Sequence, residues 1–113
     1  MKDFLFIYRM NYAGIQERTP EQMQATMQRW MDWMGHMAAK DQLIDRGNRL
    51  HPSGKVVGTD GIITDGPYTE IKESIGGYSL VRAASCEEAA ELAKGCPVLT
   101  MGGNVEVREI NAM

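Results

Sequence analysis

Two neighbouring stretches decide the fold: DFLFIYRM at residues 3–10 and TPEQMQATMQRWMDWMGHMAAK at residues 19–40. The first contains an unbroken apolar run, which is typical of a β-strand covered on both faces. The second opens with Thr19 as a capping residue, a proline at the first helical position, and Gln22 placed to close a capping box. A strand followed by a well-capped helix predicts a mixed α and β domain.

The helix that follows Thr19 is predicted to be amphipathic, because its apolar residues recur with a 3.6-residue period. Its apolar face comprises Met23, Met27, Trp30, Met34 and Met37, with Met31, Trp33 and Ala38 beside them. Methionine-rich surfaces also serve as adaptable binding sites. Burial against a sheet is the commoner arrangement, and we expect these methionines to lie in the core. His36 falls on the polar side, where we expect it to be solvated.

The remaining elements complete a β-α-β-β-α-β order. A short, irregular second strand follows Leu43, strand-like runs at 55–57 and 61–64 flank a predicted turn at 59–61, and further strands cover 77–84 and 104–110. The second helix has a predicted capping box at 85–88, ends at Gly95 and is blocked by Pro97. This order predicts an α+β, ferredoxin-like fold, with an antiparallel sheet and both helices on one face. The 113 residues suffice for a single domain, 1–113.

The first strand also predicts an assembly. With both helices on one face of the sheet, the other face is bare, yet the strand is apolar on both sides. An exposed apolar patch is a liability that a partner removes. We therefore expect a homodimer with the sheets face to face, a dimeric α+β barrel.

Composition excludes several classes of function. The formal charge is −3 with no run of Lys or Arg, which argues against nucleic-acid binding. The N-terminal apolar run, 4–8, is too short for a membrane span or a signal peptide, so we expect a cytoplasmic protein without membrane contact.

The cysteines and histidines give no support for a metal site or a cofactor. Cys86 and Cys96 flank the second helix, about 15 Å apart, which is too far for a disulfide. His36 and His51 are the only histidines, they have no tight ligand spacing, and we expect His51 to lie on the surface.

Residues 64–73, TDGPYTEIKE, form a charged motif around an Asp-Gly-Pro turn. Gly66 accepts backbone angles closed to other residues, and the following proline restricts it further. Beyond the turn, Glu70 and Lys72 point to one side of an extended segment. Two alternatives are open: a solvated hairpin face with ion pairs, or a charged cluster that lines a site.

The motif resembles the Asp-Gly-Pro-Phe-x-Glu-x-Lys-Glu signature of the YCII-related, or DGPF-domain, proteins, with Tyr68 in place of the usual Phe. The similarity continues through 76–78 and 96–108 and spans essentially the whole chain. It implies a ferredoxin-like dimeric fold and no established activity. We predict a small-molecule cleft lined by the motif, whose candidate binding residues are Asp65, Gly66, Pro67, Tyr68, Glu70, Lys72, Glu73, Tyr78 and Arg108.

The resemblance assigns no catalytic residue. The histidine and aspartate proposed as a pair in the wider family correspond here to Trp30 and Cys96. Cys96 itself follows a helix C-terminus, where the dipole disfavours a thiolate, so we expect an inert thiol.

Two functions stand as alternatives to ligand binding. The first is an enzyme with Asp65 or Glu70 as general base and Lys72 as electrostatic partner. The second is a regulatory partner of extracytoplasmic-function sigma factors, beside which members of this family are often encoded.

Overall fold

The computed structural model describes residues 1–10, 18–66 and 74–112. Its elements follow the predicted order, including a strand on each side of the predicted turn at 59–61, with one 3₁₀ helix in addition. They are β1 (Lys2–Arg9), α1 (Pro20–Ala39), β2 (Leu43–Asp45), β3 (Gly54–Val57), β4 (Ile63–Gly66), β5 (Ile75–Ala83), α2 (Cys86–Ala93), the 3₁₀ helix (Pro97–Met101) and β6 (Asn104–Glu109).

The main sheet has the strand order β2-β5-β1-β6, and every pair in it is antiparallel. This is the strand arrangement of a ferredoxin-like fold, so the predicted α+β fold class is confirmed. The strands β3 and β4, which lie between β2 and β5 in the sequence, form a separate two-stranded hairpin. The molecule is a flat slab measuring 44 × 43 × 19 Å.

Helix capping follows the sequence closely. Thr19 Oγ1 accepts from the Gln22 amide at 3.1 Å, and the Gln22 side chain accepts from the Thr19 amide at 2.9 Å, which completes the predicted box. In α2, Ser85 Oγ accepts from the Glu88 amide at 3.1 Å. The Glu88 carboxylate, however, accepts from the amide of Ala84 rather than that of Ser85. Only half of the second predicted box therefore forms.

Strand β1 is covered by the helices on one face only. Phe4, Phe6 and Tyr8 are buried at 4% exposure or less, in a core shared with both helices. Leu5 and Ile7 alternate with them and are half-buried on the other face, which we call the open face. The unbroken apolar run thus marks two distinct surfaces, one buried under the helices and one that the described residues leave half-buried.

The methionines of α1 do not all lie in the core, and that prediction is wrong. Met34 and Met37 are buried, whereas Met23, Met27 and Met31 are 53%, 53% and 57% exposed. Periodicity defines an apolar face but not what lies opposite it. Only the later part of that face packs over the core, while the first half of the helix borders a groove.

Other sequence expectations are met. His36 and His51 are exposed, and both cysteines are free, Cys86 on the surface and Cys96 in the core. Among the described residues, no helix has the length and apolar character needed to cross a membrane.

Candidate ligand-binding groove

A groove of about 910 Å³ opens between α1 and the segment that joins β2 to the hairpin. Arg46, Gly47, Asn48 and Arg49 of this segment line it opposite the helix. Small-molecule sites fall in this range of volumes and have mostly apolar walls with a few polar groups. The groove therefore has the size and shape of a ligand site.

Methionines make up most of one wall. Six of the nine methionines in the chain border the groove: Met10, Met23, Met27, Met31, Met34 and Met101. Thioether side chains are apolar, polarizable and flexible, and they make favourable contacts with aromatic rings. This wall suits an apolar or aromatic ligand.

An aromatic pair lies at the base of this wall. The rings of Tyr8 and Trp30 both line the groove and meet edge to face, with centroids 4.9 Å apart and planes at 85°. Trp33 lies behind them, 5.8 Å from Trp30, and its indole N–H donates to the Leu92 carbonyl at 3.0 Å. That bond ties α1 to α2 and holds the aromatic cluster in place.

A chain of hydrogen bonds links β1, β5 and the arginine-bearing segment. The Tyr8 hydroxyl donates to Ser79 Oγ at 2.8 Å, and Ser79 Oγ donates to the Arg46 carbonyl at 2.6 Å. Burial raises the pKa of Tyr8 well above its ordinary value, with a smaller opposing effect from the bond to Ser79. Tyr8 therefore stays neutral and serves as a structural hydroxyl rather than a base.

Backbone hydrogen bonds fix residues 46–49 against the start of β5. The Tyr78 amide donates to the Asn48 carbonyl at 3.2 Å, and the Leu50 amide donates to the Gly76 carbonyl at 2.9 Å. These two bonds hold the later end of the stretch, and the bond from Ser79 Oγ to the Arg46 carbonyl holds its beginning, so its side chains project from a fixed backbone.

Two glycines make this close approach possible. Gly47 has φ of 75°, and a Cβ at this position would collide with the Tyr78 carbonyl. A Cβ on Gly77 would lie 2.9 Å from the Asn48 carbonyl oxygen. Any larger residue at either position would push the segment away from β5.

The groove is positively charged in the part of the chain that the structure describes. Arg18, Arg46 and Arg49 line it, and no described aspartate, glutamate, histidine or cysteine does. Arg18 also donates to Thr26 Oγ1 at 2.8 Å. Nothing in the sequence pattern marks the other two arginines, because they lie in an irregular stretch without periodicity.

The predicted site residues lie in several places. Pro67, Tyr68, Glu70, Lys72 and Glu73 are outside the described residues. Asp65 and Gly66 end β4 and do not line the groove, and the exposed Asp65 carboxylate is paired with Lys55.

The last two predicted residues are Tyr78 and Arg108. Tyr78 borders the groove, although alternation along β5 puts its ring on the face opposite to Ser79. Arg108 lies on β6, directly opposite Leu5, and does not line the groove. The role of every predicted residue in binding stays a prediction.

Arg108 belongs to an ion-pair network on the open face. Glu106 accepts from Arg9 at 3.0 Å and from Arg108 at 3.1 Å. These two hydrogen bonds lower the pKa of Glu106 below its ordinary value. The carboxylate is thus held ionised, which suits a structural pair better than a proton-transfer group.

The two positions that correspond to the family's histidine and aspartate are both inside the fold. Trp30 borders the groove, whereas Cys96 is 2% exposed. Burial raises the pKa of the Cys96 thiol to about 12, which keeps it protonated and supports the expectation of an inert thiol. The described residues contain no cluster of three or more histidine, cysteine or acidic side chains able to hold a metal ion.

Comparisons with known proteins found a family model and solved structures to which the chain is similar. The family model described as the YCII-related domain matches residues 4–113. Among solved structures, the chain resembles 5-chloro-2-hydroxyhydroquinone dehydrochlorinase from Burkholderia phenoliruptrix, determined in complex with 2,5-dihydroxybenzoquinone. The alignment has 16% identity and a TM-score of 0.47, and it covers 98% of this chain and 95% of that one. None of the curated proteins matches the sequence.

Proposed function

The chain belongs to the YCII-related family, and on that premise we propose that it is a small-molecule-binding protein whose ligand occupies the groove beside α1. One observation carries the proposal. Met23, Met27 and Met31, each more than half exposed, border the same groove as the edge-to-face pair of Tyr8 and Trp30. Contact between water and a concave apolar surface is unfavourable. A ligand that displaces this water is therefore bound favourably.

The described lining favours binding over catalysis. Its charged groups are arginines, which stay protonated at any physiological pH, and the buried hydroxyl of Tyr8 stays neutral. A general acid or base has to exchange a proton near the working pH. The alternative of acid–base chemistry at Asp65 gains no support from its contacts, because this carboxylate pairs with Lys55 on the hairpin.

We further propose that the protein is a homodimer, formed through the open face. Leu5 lies directly opposite Leu80, and Ile7 is the next residue of β1 on that face. All three side chains are half-buried, and none belongs to the core that the helices cover. The slab is 19 Å thick, which corresponds to one layer of helices on one sheet. In the dimer, the sheet of the second copy would pack on the open face at the usual sheet-to-sheet distance of about 10 Å.

The mass in solution tests the dimer. Light scattering after gel filtration should give about twice the 12.6 kDa of the chain. Ile7→Lys places a charge at the centre of the open face and should give the single-chain mass. Val57→Lys, at a 66% exposed position on the hairpin, should keep the dimer. A wild-type mass of one chain at micromolar concentration refutes the proposal.

Dye binding tests the groove. Nile red is uncharged and fluoresces in apolar sites, so its titration measures the apolar groove without any contribution from charge. Met27→Glu should weaken dye binding by tenfold or more, on the order of the penalty for a charge in an apolar site. Ile63→Glu adds the same charge at a 65% exposed apolar position on the hairpin and should bind as wild type does. Equal affinities of the two variants would show that the dye binds elsewhere.

A further inference from the structure

We propose that the ligand of the groove is a flat aromatic carboxylate, with its carboxylate held by Arg46 and Arg49 and its ring against Trp30 and the methionine wall. This inference rests on the proposed function and specifies the chemical class of the ligand.

The distribution of charge around the groove supports an anion. The chain has 15 acidic and 12 basic residues, yet the described lining carries Arg18, Arg46 and Arg49 and no carboxylate. Neither Arg46 nor Arg49 takes part in any of the ion pairs of the described residues. Guanidinium groups match carboxylates in geometry and bind them through charge-assisted hydrogen bonds.

Strand pairing directs Arg49 to the groove side of the sheet. Arg49 lies opposite Gly77 in an isolated bridge, and residues directly opposite one another share a face. Gly77 is two residues from Ser79, so it shares the face of Ser79 and Tyr8, beneath α1. Ser79 in turn donates to the Arg46 carbonyl at 2.6 Å, which ties the backbone of Arg46 to the same part of β5, and Arg46 also borders the groove.

The backbone that carries the arginines is fixed before any ligand arrives. Gly47 and Gly77 allow it to approach β5 closely, and backbone hydrogen bonds from Tyr78 and Leu50 hold it there. A preorganised site loses less conformational freedom on binding, so more of the interaction energy appears as affinity. The two arginines are exposed, but the backbone that carries them is fixed beside the groove.

The opposite wall favours an aromatic body over an aliphatic one. Trp30 borders the groove and is held edge to face against Tyr8. Met23, Met27 and Met31 add thioethers, which make favourable contacts with ring edges. A planar ring between these side chains places a carboxylate attached to it toward the arginines.

The test compares 2-naphthoate with 2-naphthalenemethanol, which has the same ring system but no charge. By calorimetric titration at low salt, naphthoate should bind at least tenfold more tightly. Arg46→Gln and Arg49→Gln should each weaken naphthoate binding by roughly tenfold, as expected for one charge-assisted hydrogen bond, and leave the alcohol unchanged. Arg29→Gln removes an exposed arginine of α1 that does not line the groove and should bind both probes as wild type does.

Salt dependence of the wild-type protein gives a second measurement that needs no variant. Raising the ionic strength should weaken the binding of naphthoate and leave that of the alcohol unchanged. Equal affinities for the two probes, with no effect of salt or of either arginine substitution, overturn the anion proposal while the groove stands as an apolar site. Failure of both probes and of Nile red overturns the anion proposal and the proposed function together.

Discussion

Gly35 lies in the interior of α1 and borders the groove, where a Cβ would meet no heavy atom within 4 Å. Glycine in a helix interior is about 0.8–1 kcal/mol less favourable than alanine, and here no clash opposes the gain. Gly35→Ala should therefore raise the free energy of unfolding by about 0.8 kcal/mol. For a domain of this size, the midpoint of thermal unfolding should rise by about 3–5 °C.

A larger side chain at the same position separates folding from binding. Gly35→Leu keeps most of the gain in helix propensity, but its side chain enters the groove, so affinity for Nile red and for naphthoate should fall. This combination of raised stability and lost binding is typical of a position kept small for function.

His36→Ala is the matched control for Gly35→Leu, because the adjacent exposed residue does not line the groove. It should stabilise slightly and leave binding unchanged. Calorimetry for unfolding and fluorescence titration for binding give both numbers. Destabilisation by Gly35→Ala, or unchanged binding by Gly35→Leu, would refute the reasoning.

Three further predictions concern buried or paired groups. Ser79→Ala removes the hydrogen-bond partner of the Tyr8 hydroxyl and of the Arg46 carbonyl, and it should lower the free energy of unfolding by about 2–3 kcal/mol in urea titrations. Tyr8→Phe should lower it by only about 1 kcal/mol. Equal losses in the two variants would contradict the hydrogen-bond chain. An aromatic disulfide reagent should label Cys86 in the native protein and Cys96 only after unfolding, so two fast thiols would contradict its burial. The pKa of Glu106 is lowered in the fold, so its stabilising effect is present above its unfolded pKa and is lost as the pH falls through the folded value. In Glu106→Gln, the free energy of unfolding should therefore fall less steeply with decreasing pH than in the wild type. Parallel profiles of unfolding free energy against pH would count against the ion-pair network.

Much of the fold follows from local sequence. The Thr19 cap and the proline after it mark the start of α1 through contacts within one turn, and they are found where predicted. The sequence predicts the end of α2 at Gly95, but the helix ends two residues earlier, at Ala93. The order of strands follows from the handedness of the crossovers, which depends on chain chirality rather than on particular residues.

The groove was less accessible to sequence reasoning, because it depends on contacts between distant positions. Gly47 and Gly77 are thirty residues apart, and only the folded chain shows that both are needed where the segment meets β5. The period of the α1 methionines is the same whether they face a core or a cavity. Whether each methionine is buried depends on what packs beneath that part of the helix, and the local sequence does not determine this.

The two walls of the groove differ in how much they can rearrange. Methionine has three rotatable side-chain bonds, so the α1 wall can adopt many outlines, at a cost of about 0.5–1.5 kcal/mol for each side chain that a ligand immobilises. The wall formed by residues 46–49 has a backbone fixed by β5. Ligands of different contour should therefore be accommodated with similar enthalpies and differing entropies, so that discrimination depends on the placement of the polar group and hardly on the shape of the ring system.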